Sequence, residues 1–403
     1  MAWQAVSRGV ETFVERYYHH LFRSDSVAQR WIAEVGLGGA LEYLPATMGF
    51  FTRDRMHRFG TALSLASFTP LPLADRLRLG RRIQRLSAID SPAGFDSVTA
   101  EDWLRRRASD KEMDVFWRPL LDAKFSEDRG LVSMAWLWAR FRARVGGSLG
   151  GRERLGYVRG GFQRFNNALA AHATSRGVEL RLGCGLGEIA VAGGRVRSVT
   201  TSAGDTIRAD ILVWTPSLAE LVRRVPTVSP SFRAACARTR YHAAIVVVVE
   251  LSQSVLPYYW VTVVDPKLPF TVAVEHTRLV GTADYGGRVI VYLGRYVSPE
   301  NPMLDLDDEA IRAQFLQAAA GAFHPGFASP LAAHVFRAPS AQPIIRPGWA
   351  AQRPPAETGV TGVLAANMAQ IYPWDRGINY SLELGEQVAA RILAEPLPTA
   401  RAA

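Results

Sequence analysis

Asp375 and Arg376 stand side by side in a turn between a short apolar run, Leu364–Ala366, and a helix carrying Ile378, Leu382, Leu384, Val388 and Ile392 at helical spacing. An acid next to a fixed cation, at the mouth of a helix, can hold negative charge or orient an ionised ligand. Gly377 and Asn379 relax the backbone there, so free N–H groups at the helix N-terminus can face an anion. Arg376 is the candidate for stabilising developing negative charge, and an ion pair with Asp375 is its ordinary alternative. Tyr372 and Trp374 can line a cavity beside it, or simply pack.

Other textual motifs lack the context their chemistry needs. Gly146–Gly150 reads GxSxG but follows a helical pattern, and a nucleophile elbow requires a strand before it and a helix after it. Gly36–Leu41 and Gly185–Ala190 imitate a dinucleotide turn, yet neither lies between strand and helix. His19 and His20 are adjacent on an expected helix, where neighbours do not share a face, and no HExxH partner follows. Cys184 and Cys236 are too few for a zinc site or a disulfide framework and fit a reducing cytoplasm.

The 403 residues carry a net charge of +10, which comes almost wholly from Arg, since Lys occurs only at 111, 124 and 267. Arg is dispersed, with no long basic block, so a nucleic-acid partner is not expected. The longest strongly apolar run, Ala243–Val249, has strand length and cannot cross a bilayer. Peripheral membrane contact through Pro257–Trp260 stays open beside the simpler reading of a buried aromatic cluster.

The elements that must position the turn fall in blocks. Val10–Phe22 reads as a helix on the spacing of Phe13, Tyr17 and Leu21. Val27–Val35 follows as a helix that Gly36 ends. Residues 64–107 are mostly helical, broken at Pro70, Pro72 and Pro92, and are followed by helices at Pro119–Phe125 and Leu131–Arg144. On the last of these, Trp136 and Trp138 should face opposite sides, one in the core and one at a groove. After a Gly-rich hinge at Gly146–Gly151 the pattern turns α/β. A helix at Phe162–Ser175 leads to strands at Val178–Leu182, Glu188–Val191, Arg195–Thr201, Thr206–Arg208 and Ile211–Trp214. Strands at Tyr241–Leu251, Tyr258–Val264, Thr271–His276 and Val289–Tyr296, a helix at Asp307–Phe323 and a strand at His334–Ala338 make a β-rich block. On Thr271–His276, Glu275 and His276 point to opposite faces, so at most one enters a pocket. The tail after Glu395 is expected to fray.

With these elements laid out, the C-terminal stretch LAANMAQIYPWDRGINYSLELG resembles the FAD-contacting segment of the amine oxidase, protoporphyrinogen oxidase and phytoene desaturase superfamily. VERYYHHLFRSD, WRPLLDAKFS and MAWLWARFRAR resemble its protoporphyrinogen-oxidase-like branch. The resemblance runs over about residues 10–395 and implies an α/β FAD domain of the two-dinucleotide-binding type, with an α+β substrate part formed by a mixed sheet and a helical lid. It places the FAD-binding part at 1–19, 146–235 and 341–403, and the substrate part at 20–145 and 236–340. It further implies that Leu186 meets the adenine and that Thr215 and Pro216 lie near the dinucleotide. Asn367, Asp375, Gly377, Asn379 and Tyr380 would hold the ribityl and flavin end, with Arg376 and Tyr372 at the reacting centre. The implied chemistry is hydride removal from a large apolar substrate, isoprenoid or tetrapyrrole-like, onto the flavin. Amine oxidation is less expected, for want of a paired-aromatic cage.

The sequence departs from that family at one point: no strand–GxGxxG–helix is present, and this turn normally grips the FAD pyrophosphate. The expectation is therefore a chain whose first βαβ unit is missing, binding FAD only if that unit is supplied, with an exposed apolar strand edge where the missing strands would pair. A partner chain supplying the unit, or an inactive homologue binding an apolar ligand or a protein partner, are the alternatives.

Overall fold

The fold was obtained as a computed structural model in which residues 2–7, 10–144, 148–149 and 152–394 are described. Runs of Val, Ile and aromatic residues, which suit a pleated half-buried surface, build a seven-stranded sheet. Its order is Ala332–Pro343, Tyr241–Leu251, Val289–Val297, Val272–Glu275, Trp260–Val263, Met48–Thr52 and Arg55–Phe59. All neighbours are antiparallel except Trp260–Val263, which runs parallel to Met48–Thr52. Tyr241–Leu251, second in this order and paired on both sides, is buried from His242 onward, as its unbroken apolar run requires.

The two faces of this sheet do different things. One packs Ile245, Val247 and Val249 against Ile311 and Phe315 of the helix Asp308–Ala322. The other turns Val246, Val248, Ile290 and Tyr292 toward Tyr259, Leu155 and Val14. Since side chains alternate along a strand, Tyr296 shares the face of Ile290 and Tyr292, the face on which the candidate site lies.

Helices Leu73–Ala88, Ala100–Arg105, Arg118–Phe125 and Met134–Arg142 form a lid over a core of Trp117, Trp138, Phe116 and Phe68. The chain then enters a thinner α/β part. It contains the helix Phe162–Thr174, a meander of Leu186–Ala192, Arg195–Thr201 and Thr206–Arg208, and a parallel pair of Leu212–Trp214 with Val363–Ala365. Gly193 and Gly194 both have positive φ (59° and 69°), as the two-residue hairpin turn demands. The helix Ile378–Ala394 closes the chain against Ser26–Glu34, with Ile378 and Leu382 packed beside Ala28 and Ile32. Among the described residues no helix is long and apolar enough to cross a membrane.

Three expectations are corrected. Val10–Phe22 is not a helix: Val10–Glu15 is a strand paired with Ala2–Ser7, register Ala2↔Glu15, and residues 16–20 leave regular structure. The alternation Val10, Thr12, Val14 wins over the coincidental helical spacing, because the hairpin partner satisfies the backbone. Val178–Leu182 is not a strand. The segment is irregular, and Leu182 is 90% exposed with Val178 and Leu180 close to half exposed. No strand among the described residues lies beside it, and an extended segment without a ladder partner gains nothing from strand geometry. Third, Trp136 and Trp138 are both buried, since Met134–Ala139 is enclosed on every side. The hinge at Gly146–Gly151, apart from Ser148 and Leu149, and the tail beyond Ala394 fall outside the described residues.

Candidate functional site

The turn Tyr372–Gly377 enters the lid through its charges. Asp375 accepts from Lys124 Nζ and, at 2.7 Å, from Arg140 Nη1, while its other oxygen takes the Trp136 indole N–H at 3.3 Å. Asp375 therefore ties the turn to two lid helices. Arg376 makes no pair with Asp375 among the described contacts. It donates from Nη2 to the Tyr296 hydroxyl at 2.7 Å, and its buried Nε has no partner among the described residues. Aromatic faces surround these cations: Lys124 lies 4.9 Å and Arg140 5.2 Å from the Trp136 ring, and Arg376 lies 5.7 Å from Tyr296.

Electrostatics follow from the crowding. Burial alone would raise the Asp375 carboxyl, yet Lys124, Arg140 and Arg376 outweigh it and hold the group well below the usual carboxylate range. Burial drives the Lys124 ammonium well down, with Arg140 and Arg376 pushing the same way and Asp375 opposing them. The loop Tyr17–His20 closes another side. Burial raises the Tyr18 hydroxyl well above its ordinary value and lowers His19 to about 4 and His20 to about 3, so both imidazoles are neutral. His19 Nδ1 sits 2.5 Å from the Tyr17 carbonyl, and His20 Nδ1 sits 3.2 Å from the Tyr259 hydroxyl.

A cleft of about 370 Å³ opens beside the turn, lined by Ser24, Ser26, Val27, Trp374, Asn379 and Tyr380 among others. Trp374 and Tyr380 stack at 5.7 Å with their planes 5° apart. Two helix N-termini face this cleft. Gly377 precedes the C-terminal helix, and Asn379, in its first turn, accepts the Ala28 N–H of the helix Ser26–Glu34 at 3.0 Å. Asn379 is thus a link between helix starts, not part of the relaxed lead-in.

The remaining expected residues divide. Asn367 is buried and donates from Nδ2 to the Pro216 carbonyl at 2.8 Å and to that of Thr215 at 3.4 Å, so these three meet at one corner. Asn367 also accepts from the Tyr241 hydroxyl at 3.0 Å and caps the short turn after it. Leu186 begins the meander, half-buried and paired with Thr201, with no contact to the turn. The Tyr372 hydroxyl is engaged by Asp96 of the lid, away from Arg376. Glu275 and His276 are both buried: Glu275 accepts the N–H groups of Val255 and Leu256, and His276 meets the Tyr285 hydroxyl at 2.8 Å.

Lys124, Arg140, Tyr296 and Tyr18 escaped the sequence reading as site residues, and Trp136 was singled out there only with Trp138, as a pair of which one was expected at a groove. A signal existed: Trp136, Arg140 and Arg144 recur every four residues on one face of an otherwise enclosed helix, and Lys124 is one of three lysines.

A family model described as flavin-containing amine oxidoreductase matches residues 9–393. No curated protein matches the chain by sequence. Among solved structures, one provisionally assigned as a protoporphyrinogen oxidase from Exiguobacterium superposes with a TM-score of 0.74 at 16% identity, covering 97% of this chain and 89% of that one. Reduced UDP-galactopyranose mutase gives 0.69 at 15% identity, over 98% and 88%. Cyclohexylamine oxidase from Brevibacterium oxydans gives 0.69 at 16%, over 97% and 90%. At such identities these likenesses speak for the fold, and the family match over nearly the whole chain decides the membership. This chain belongs to the flavin-containing amine oxidoreductase family.

Proposed function

We propose that the chain serves an FAD-dependent oxidoreductase that removes a hydride from a large, mainly apolar substrate. The observation that carries this reading is the meeting of two helix N-termini and the Trp374–Tyr380 stack at one cleft, whose Trp374 immediately precedes the Asp375–Arg376 pair. Its volume is of the order that holds a tricyclic ring. The flavin end of the cofactor fits the residues present: N–H groups at Gly377–Tyr380 and the Arg376 cation favour negative charge on the ring, and the two aromatic rings exclude water. The pyrophosphate end does not. Asn367 seals the Thr215–Pro216 corner, and nothing in the sequence supplies the glycine turn. We take that turn to come from residues other than these 403, as a βαβ unit laid against the two-strand parallel pair and the exposed, irregular Val178–Leu182 segment; parallel sheets are ordinarily larger and covered.

When bound, the flavin supplies the hydride acceptor. The chain itself orients and shields: Tyr18 and Tyr296 present hydroxyls beside Arg376, Tyr372 braces the turn on Asp96, and neutral His19 and His20 add no charge. A protonated amine would meet a surplus of like charge here, which weighs against amine substrates despite the family's name. A carrier or partner subunit without turnover is the second reading, favoured by the exposed apolar side chains of Val178, Leu180 and Leu182.

Riboflavin tests the flavin end separately, because it carries the ring without the pyrophosphate. Titrated into the purified chain, it should lose fluorescence, and FAD should bind no more tightly than riboflavin does. Absence of any flavin quenching would refute the assignment. Quenching without substrate oxidation, once a βαβ unit is supplied, would favour the carrier.

A further inference from the structure

Charge around Asp375 does not balance. Arg140 and Arg376, with Lys124 beside them, crowd one carboxylate, which leaves a surplus of positive charge among the described residues and itself pushes the Lys124 ammonium down. Arg144, one turn beyond Arg140, is already taken by Glu153 at 3.1 Å. Cations removed from water without partners are costly, so an arrangement of this kind is most stable when an anion completes it. The completion has a direction. Among the described residues the buried Arg376 Nε hydrogen has no acceptor, while its Nη2 is fixed on Tyr296. The walls around the cations are the faces of Trp136 and Tyr296, which would lie along an apolar body rather than compete for its charge. Asp375 is then the resident counter-ion that keeps the cluster folded in the ligand's absence.

We infer that Lys124, Arg140 and Arg376 form an oxyanion-anchoring subsite, which takes a carboxylate or phosphate carried at one end of an apolar molecule. This names the polar end of the substrate in the reading above, and rests on that reading for the neighbouring redox chemistry but not for the binding itself. Oxyanion and guanidinium or ammonium meet by charge-assisted hydrogen bonds, the strongest kind that proteins form.

Calorimetric titration without flavin separates the possibilities. Octanoate is compared with methyl octanoate, and octyl phosphate with octanol, all below their aggregation limits. At least one charged probe should bind about tenfold or more tightly than its neutral counterpart, as expected for a buried charge-assisted contact. The tighter of the two acids tells carboxylate from phosphate. Lys124→Met and Arg140→Met should each weaken the charged probe about tenfold. Asp375→Asn keeps all three cations and removes their competitor, so it should tighten the same probe. That opposite response is one a merely structural cluster would not give, and it remains readable if either cation variant fails to fold. Equal affinity for acid and ester in both pairs, or Asp375→Asn weakening the probe as Lys124→Met does, would overturn the inference. Charged-probe binding alongside a failed riboflavin titration would keep the subsite and sink only the flavin assignment.

Discussion

Acid should unfold this protein well before its carboxylates titrate, because three imidazoles are folded in neutral form. His19 is held at about 4, and His20 and His276 at about 3, chiefly by burial, against an ordinary 6.5. Between these values the unfolded chain binds protons that the folded chain refuses, so stability is full above pH 6.5 and falls as pH drops toward 4. From pH 7.5 to 5.0 each fully enclosed histidine costs about 2 kcal/mol by this linkage. His276 is 2% exposed and keeps that figure, whereas the partial exposure of His19 and His20 halves theirs to about 1 kcal/mol each. Asp25 works the other way. Burial raises its carboxyl to about 6, so the folded state gains a proton first and recovers about 1.4 kcal/mol by pH 5.0. The loss from these four groups is about 2.6 kcal/mol, a large fraction of an ordinary domain's stability. Urea unfolding followed by circular dichroism at both pH values measures it, and His276→Asn should flatten the slope by nearly one proton. Equal urea midpoints at pH 7.5 and 5.0 would refute the reasoning, as would resonances of His19, His20 and His276 that titrate near 6.5 in the folded protein.

Other consequences follow from single contacts. An alanine Cβ at Gly362 would stand 2.3 Å from the Asp210 carbonyl oxygen, at a φ of +79°. Gly362→Ala should therefore cost about 2 kcal/mol or more and disturb the parallel pair, visible as a lowered urea midpoint. Glu15 is buried and accepts the Phe162 N–H at 2.6 Å and the Tyr157 hydroxyl at 2.8 Å. Glu15→Ala strands both donors and should cost about 1–3 kcal/mol for each, with Glu15→Gln milder, as thermal melts will show. Arg376→Met should weaken riboflavin binding about tenfold with little change in melting temperature, whereas Tyr372→Phe, which loses only the Asp96 contact, should do the reverse. Unchanged riboflavin affinity in Arg376→Met would remove that residue from the flavin site.

What could be read from the sequence, and what could not, divides along physical lines. Tyr241–Leu251 and Phe162–Thr174 were legible because burial on both faces, or on one helical stripe, leaves a period in the residues themselves. The corner of Asn367 with Thr215 and Pro216 was legible only through family resemblance, since those residues lie about 150 positions apart. Val10–Glu15 misled because a short segment can satisfy two periods at once, and the partner strand, not the pattern, decides. Val178–Leu182 has strand composition but no neighbour to complete a ladder. The ionic cluster was hardest: Lys124, Arg140 and Asp375 come from three elements, and charge pairing leaves no periodic trace.

The turn shows how neighbouring residues are given separate work. Tyr372 is spent on Asp96 and Asp375 on Lys124 and Arg140, so both fasten the turn to the lid. Those anchors hold Arg376 in place without using up its charge, and its guanidinium keeps one N–H unspent. Were Arg376 paired with Asp375, as adjacency in sequence suggests, the pair would be neutral and the turn merely structural. Because Asp375 faces the lid and Arg376 faces Tyr296, positive charge persists next to two helix N-termini, whose dipoles add to it. Neutral His19 and His20 keep the excess from growing to a level the fold could not bear. An anion bound here should raise both histidines toward ordinary values, so the charged probe ought to protect the protein most strongly near pH 5, where empty protein is losing stability.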